Sequence, residues 1–222
     1  QNDTLIEEHI RQAYSELYDT AVSQMMESGT NDLVLSVVKK YIKKVLEYDK
    51  TLCPFQIISM EKNYRSSVRI QSSEGAKTVY VEGDIDRVDK TSRGIRVIDY
   101  KTGTDKTEFK DLASIFDITN KQRNKAAFQT LLYCMMYEYG NPGADPIQPG
   151  IYSTKLLFTP NYDYLLKYNN EPIYRFKPYE SEFNRLLVRL LEELFSADHP
   201  FEQTPIREKC KHCPYNEICK RK

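Results

Sequence analysis

The hydrophobic patterning of this chain predicts an α/β fold, on three observations. Two helical stretches open the sequence, a run of alternating strands fills the middle, and two more helices with a strand between them occupy the second half. At 222 residues, with 40% hydrophobic and 29% charged side chains, it suits one large domain or one domain with a small appendage.

The elements follow in order. Leu5, Ile6, Ile10, Ala13, Leu17, Ala21 and Met25 recur at helical spacing, and Ser28-Gly29 is expected to end that helix. Asn31 or Asp32 can cap a second helix carrying Leu33, Val34, Val37, Val38, Tyr41, Ile42, Val45 and Leu46, with Lys39, Lys40, Lys43 and Lys44 on its outer face. Phe55–Glu61 alternates weakly and Ser67–Ile70 follows. Val81–Val88 and Ile95–Lys101 then complete a meander around a turn at Asp89–Gly94. After Gly103 the chain reads as loop up to a helix over Gln122–Tyr139, which Asn141-Pro142-Gly143 stops. A Pro/Gly-rich linker runs to Gly150, Ile151–Leu157 is a strand, and Tyr179–Ser196 is a long helix before a cysteine-rich tail.

Lys+Arg and Asp+Glu are both 32, so the net charge is zero. Dedicated DNA-binding domains are basic overall, so any nucleic-acid contact here needs a local patch; the lysine face of the second helix with Lys121, Arg123 and Lys125 is one candidate, a merely solvated face the other. An acidic enzyme pocket is compatible with this balance. No apolar run approaches a membrane span and no signal-peptide pattern is present, so a soluble, cytoplasmic protein without a membrane partner is expected. Five cysteines, with Cys210, Cys213 and Cys219 crowded at the end, argue against a secreted disulfide framework and for metal or cluster ligation.

The stretch Gly83-Asp84-Ile85-Asp86-Arg87-Val88-Asp89, with Val97-Ile98-Asp99-Tyr100-Lys101-Thr102-Gly103, carries the chemistry. In strands, Asp84 and Asp86 share a face, as do Asp99 and Lys101. Carboxylates on neighbouring strands beside a lysine are costly to hold together unless a cation sits between them. Mg²⁺ prefers one or two carboxylates completed by water and phosphate oxygens, and Lys101 could act on the attacking water. A solvated hairpin face with ordinary ion pairs is the other reading of the same residues.

These motifs resemble those of the PD-(D/E)xK nuclease superfamily, and within it the RecB-type exonuclease domains, AddB-like and Cas-associated. The resemblance rests on residues 79–133 and the tail from 205. It implies a restriction-endonuclease-like fold, a mixed central β-sheet flanked by helices, over residues 1–204. The Gly-x-x-Asp register selects Asp86 over Asp84 as a metal ligand; Asp99 and the Tyr100 backbone carbonyl join it, with Lys101 catalytic. Gln129-Thr130-Leu131-Leu132-Tyr133 resembles the family's Gln-x-x-x-Tyr, one helical turn apart, which positions the substrate strand. The early Gly-x-x-x-His of the family has no match. His9 lacks that context and reads as a surface histidine, which leaves the family's ligand helix to lie upstream of Gln1.

The tail, residues 205–222, resembles the iron–sulfur staple of the same nucleases. Cys210, Cys213 and Cys219 would hold a [4Fe-4S] cluster, with the fourth ligand outside this chain. Cys53 and Cys134 read as small buried apolar residues. Zinc through the three cysteines and His212 is a second possibility, made awkward by the adjacency of His212 and Cys213; His199 and His212 are unassigned. The expected function is a Mg²⁺- or Mn²⁺-dependent DNA exonuclease acting in recombination and double-strand-break repair beside a helicase–nuclease partner subunit. The rivals are a non-catalytic DNA-binding or scaffold domain retaining the fold, and a restriction-type endonuclease.

Overall fold

A computed structural model describes residues 3–18, 29–144, 146–197, 200, 202–211 and 213–220. The chain forms two compact units. The first comprises residues 1–55, 100–104 and 152–163, and the second residues 56–99, 105–151 and 164–222.

In the first unit, helix α1 (Asp3–Tyr18) lies along α2 (Gly29–Leu52). The expectation that the first helix reaches Met25 through Ala21 falls outside the described residues, as does its stop at Ser28. Gly29 opens α2, which puts Asn31 and Asp32 inside its first turn. The two helices are clasped by charge: Lys43 Nζ meets Asp3 Oδ2 at 2.5 Å, Lys39 Nζ meets Glu7 Oε2 at 3.0 Å, and Arg11 binds the other Glu7 oxygen at 2.7 Å. Lys44 pairs with Glu47. Three of the four lysines expected on a nucleic-acid face therefore hold carboxylates of their own unit. The apolar stripe of α1 buries no residue, and Leu5 and Leu17 stay exposed.

The second unit is built on a four-stranded sheet of order β1-β2-β3-β5, formed by β1 (Phe55–Ser72), β2 (Gly75–Thr91), β3 (Gly94–Lys101) and β5 (Ile147–Ser153). The two strands expected over 55–70 are one long strand. β2 and β3 are antiparallel, in register Arg87↔Ile98 to Thr91↔Gly94. Gly94 takes φ +116° in the turn, and a Cβ there would lie 2.3 Å from the Pro146 carbonyl oxygen, so both backbone shape and space demand glycine.

Asp89, read from the sequence as a turn residue, is instead a buried strand residue opposite Arg96. Its carboxylate accepts from Arg87 Nε at 2.9 Å and Arg96 Nη2 at 2.5 Å. A fully buried carboxylate survives only with such partners.

β5 covers residues expected to be a linker. Pro149 lacks a ladder donor, which an edge strand tolerates; its carbonyl accepts from Leu166 N at 3.0 Å. The segment read as loop after Gly103 holds β4 (Glu108–Phe109) and a short helix α3 (Leu112–Phe116) capped by Asp111. β4 forms a small mixed sheet with β6 (Lys167–Tyr168) and β7 (Glu171–Pro172).

Helix α4 (Lys125–Gly140) starts three residues later than expected. Asn124 caps it by accepting from Ala127 N, while its Nδ2 donates to the carbonyls of Lys106 and Glu108 at 2.8 Å. Nine of its side chains are buried, from Ala126 to Tyr137, so it is the central helix of the unit. Helix α5 (Lys177–Leu194) packs Phe183, Leu186, Leu187 and Leu191 into the same core, which also holds Ile70, Ile85, Val88, Val97, Ile115 and Phe176. The architecture is α/β with a central sheet flanked by helices, as the sequence predicts. Among the described residues no helix is long and apolar enough to cross a membrane.

Candidate active site

Burial along β2 alternates through Gly83 and Ile85, then gives way to three buried residues in a row, Arg87, Val88 and Asp89. Asp86 sits half-buried at that transition. The hairpin register ends at the Arg87–Ile98 pair, and Asp86 and Asp99 each lie one residue beyond it. In an antiparallel ladder these positions fall at the same end, on adjacent strands. Asp99 is 1% exposed, so its carboxylate is held almost wholly away from water.

A third acid joins from β1, and nothing in the sequence pattern marked it. Glu61 adopts φ +44°, in the left-handed region, inside the long strand. Desolvation, then the negative charge of Asp86, then that of Asp84, raise its carboxyl above the usual carboxylate range. Glu61 lies in a weakly alternating strand with no motif around it. Only the pairing of β1 with β2 reveals it. Asp84 is exposed and accepts from Asn63 Nδ2 at 2.9 Å, a cross-strand polar contact distinct from the role of Asp86.

Helix α4 brings the Gln-x-x-x-Tyr pair to this sheet. Gln129 Nε2 donates to Tyr133 Oη at 2.7 Å, as one helical turn of separation allows. Tyr133 lies against Gly83, where a Cβ would come 3.3 Å from Tyr133 Cε1 and 3.7 Å from Met136 Cε. The glycine of Gly-x-x-Asp thus has a structural reason: it lets α4 settle on β2.

Of the residues predicted for the site, Asp86, Asp99, Gln129 and Tyr133 belong to the second unit, and Tyr100 and Lys101 to the first. Both of the latter end β3. Tyr100 packs edge-on against Tyr152 at 5.5 Å, and Tyr152 donates to the buried Asp49 carboxylate at 2.8 Å. The Lys101 carbonyl accepts from Thr154 N at 2.9 Å, which ties down the backbone just after Tyr100. Tyr162, in the same aromatic group, has its hydroxyl pKa pushed well up by burial.

Oxygen donors from two carboxylates suit a hard divalent cation, with water and phosphate completing the octahedron. Among the described residues no three His, Cys, Asp or Glu side chains gather into a metal cage, so Asp86 and Asp99 fit a cation only in that shared manner.

The same holds for the tail. Cys210, Cys213 and Cys219 are half-buried in consecutive tight turns, with Cys213 N on the Cys210 carbonyl at 3.2 Å, yet they do not close a three-sulfur site. The tail is nevertheless docked: Lys209 Nζ donates to the Ile118 carbonyl at 2.8 Å and Lys121 pairs with Glu208 at 3.3 Å. Cys134 is buried, as expected, and burial pushes its thiol pKa well up. Cys53 departs from expectation: it is exposed, on the short step between α2 and β1. His9 is exposed on α1, and His199 and His212 fall outside the described residues.

The model of a family described as the PD-(D/E)XK nuclease superfamily matches residues 1–220. Among solved structures, a chain described as "Crystal structure of SSO0001" is 17% identical and is matched over 96% of this chain and 81% of its own, at a TM-score of 0.38. That superposition is too loose to say anything of this chain. No curated protein matches.

Proposed function

The chain belongs to the PD-(D/E)XK nuclease superfamily, and on that premise we propose that it is a Mg²⁺- or Mn²⁺-dependent DNA exonuclease of the RecB type, acting in recombination and break repair beside a helicase–nuclease partner. The observation that carries this reading is that Asp86 and Asp99 fall at the same end of the β2–β3 hairpin, on adjacent strands, each one position past its last ladder pair.

Asp86, Asp99 and the Tyr100 carbonyl would hold the cation. When bound, it supplies Lewis acidity to the scissile phosphate and lowers the pKa of a bound water. The buried carboxylate of Asp99 fixes the position of the charge. Lys101, two residues on, orients the attacking water and offsets negative charge developing on the phosphate. Gln129 and Tyr133, already bonded to each other, present amide and hydroxyl groups that align the substrate strand. A [4Fe-4S] cluster on Cys210, Cys213 and Cys219, its fourth ligand supplied from outside this chain, would secure the tail; iron and sulfide analysis of anaerobically purified protein tests that part by itself.

The nuclease reading is tested by incubating end-labelled linear single- and double-stranded DNA, and circular DNA, with Mn²⁺. Linear DNA is expected to be degraded by the wild type and spared by Asp99→Ala, with circles left intact. Equal degradation by both proteins would overturn the assignment. Cutting of circles would point to an endonuclease, and no cutting by either to a binding domain.

A further inference from the structure

The β1–β2 strand pair has one face packed on the core and one face open, and the open face leads away from Asp86. From Asn63 onward β1 alternates: Tyr64, Ser66, Val68 and Ile70 turn inward, whereas Asn63, Arg65 and Arg69 are exposed. In β2, Val79, Val81, Gly83 and Ile85 turn inward. Thr78, Tyr80, Glu82 and Asp84 are exposed, and Asp86 is half-buried at the end of that series. Alternate residues of a strand share a face. Two contacts between the strands show that their outward residues share one face. Asn63 Nδ2 donates to Asp84 Oδ1 at 2.9 Å, and the Arg65 guanidinium lies over the Tyr80 ring, 3.9 Å from its centroid.

Tyr80 remains 60% exposed, so Arg65 covers only part of its ring. The stack holds the guanidinium in place and leaves the edge of its planar fork free for an acceptor. Among the described residues neither Arg65 nor Arg69 pairs with a carboxylate, although Glu82 stands on the same face. The lysines of α2 differ, since Lys39, Lys43 and Lys44 each hold one. Two unneutralised arginines beside an open aromatic ring complement a phosphate backbone whose bases are unpaired. In a duplex the bases stack on one another and offer the ring no face.

We propose that this face is a track for single-stranded DNA. Arg65 and Arg69 each take a phosphate, and the open part of the Tyr80 ring stacks on a base. The proposal rests on the nuclease reading and extends it to a substrate class. Tyr80 lies six residues before Asp86 on the same face of β2, about 20 Å along the strand, so the track runs toward the proposed metal site. Glu82 lies between them and repels the backbone. Neutralising it should therefore tighten binding, a sign that no structural role of an exposed glutamate predicts.

The test measures, by fluorescence anisotropy in EDTA and at several salt concentrations, the binding of a labelled oligo(dT) strand and of a duplex of equal length. Tyr80→Leu is expected to weaken the single strand about tenfold and to leave the duplex unchanged. Tyr80→Phe keeps the stacking surface and should keep the affinity. Arg65→Ala and Arg69→Ala should each reduce the slope of log K against log salt by about 0.7, and Glu82→Gln should raise single-strand affinity. Circular dichroism confirms that each variant is folded. A single strand bound equally by the wild type, Tyr80→Leu and Arg65→Ala overturns the proposal. So does a loss confined to the duplex, or a wild type that binds neither. Each of these outcomes leaves the active-site reading to its own measurement, hydrolysis by the wild type against Asp99→Ala.

Discussion

The two ends of the β2–β3 hairpin treat negative charge in opposite ways. At the turn end, Asp89 is fully buried and receives two guanidiniums, Arg87 and Arg96. At the other end acid meets acid: desolvation, then the charges of Asp86 and Asp84, raise the Glu61 carboxyl pKa, and Asp99 is buried one position past the last ladder pair. The first arrangement pairs its acid with cations and serves stability. The second gathers acids from adjacent strands in one place, where a bound cation would be favoured. One strand pair thus holds both a structural carboxylate and the proposed catalytic ones, three residues apart.

This contrast can be broken by exchanging the fates of the two acids. Asp99→Ala is expected to lower DNA hydrolysis by about a thousandfold, because the metal loses a carboxylate, while the circular dichroism spectrum and cooperative unfolding persist. Asp89→Ala should do the reverse. Leaving Arg87 and Arg96 buried without their carboxylate costs about 3–5 kcal/mol, read as a fall in urea midpoint, and activity should fall only with the folded fraction.

Smaller changes sharpen the boundary between the ends. Gly83→Ala forces Tyr133 or Met136 to shift, since the new Cβ would stand 3.3 Å from the Tyr133 ring; a loss of about 1–3 kcal/mol is expected, with activity reduced beyond the loss of folded protein. Tyr133→Phe removes the 2.7 Å bond from Gln129. It should cost about 1 kcal/mol in stability or less, and kinetics should show its effect mainly in KM.

The least effect is expected from the clasp between α1 and α2. Hydrogen bonds from Lys43 to Asp3, and from Arg11 and Lys39 to Glu7, hold both carboxyls below their ordinary values. Their folded pKa values lie below the unfolded ones, so their contribution is complete above the ordinary carboxylate range and fades as pH falls through it. Asp3 is exposed and Glu7 half-buried at the surface, so the loss should be slight and screened by salt; amide exchange in α1 as a function of pH checks it.

How far the sequence reveals these regions depends on what sets each one. Helix α5 was legible because burial repeats with the helical period, and helix α4, buried nearly all round, because a long apolar run ends at Asn141-Pro142-Gly143. The pairing of β2 with β3 was legible because a motif with fixed spacing lies on it. Asp89 was misread as a turn residue, since an aspartate near Gly94 looks the same whether it caps a turn or meets Arg96 across the ladder. β5 was half missed because Pro149 and Gly150 resemble a linker, and only its edge position makes them tolerable. β4, β6 and β7 are two residues long and carry no period. Glu61 could not be found at all, because its importance comes from the strand beside it.

The most direct test of the central claim is the thermal midpoint with and without Mn²⁺, measured on the wild type, Asp86→Asn and Asp99→Asn. A cation bound by the folded state alone raises the midpoint by mass action. The wild type is expected to gain stability with Mn²⁺ in a saturable manner, and both variants to lose that gain while remaining folded. An equal Mn²⁺ shift in all three proteins would contradict the assignment of the open end of the hairpin as the metal site.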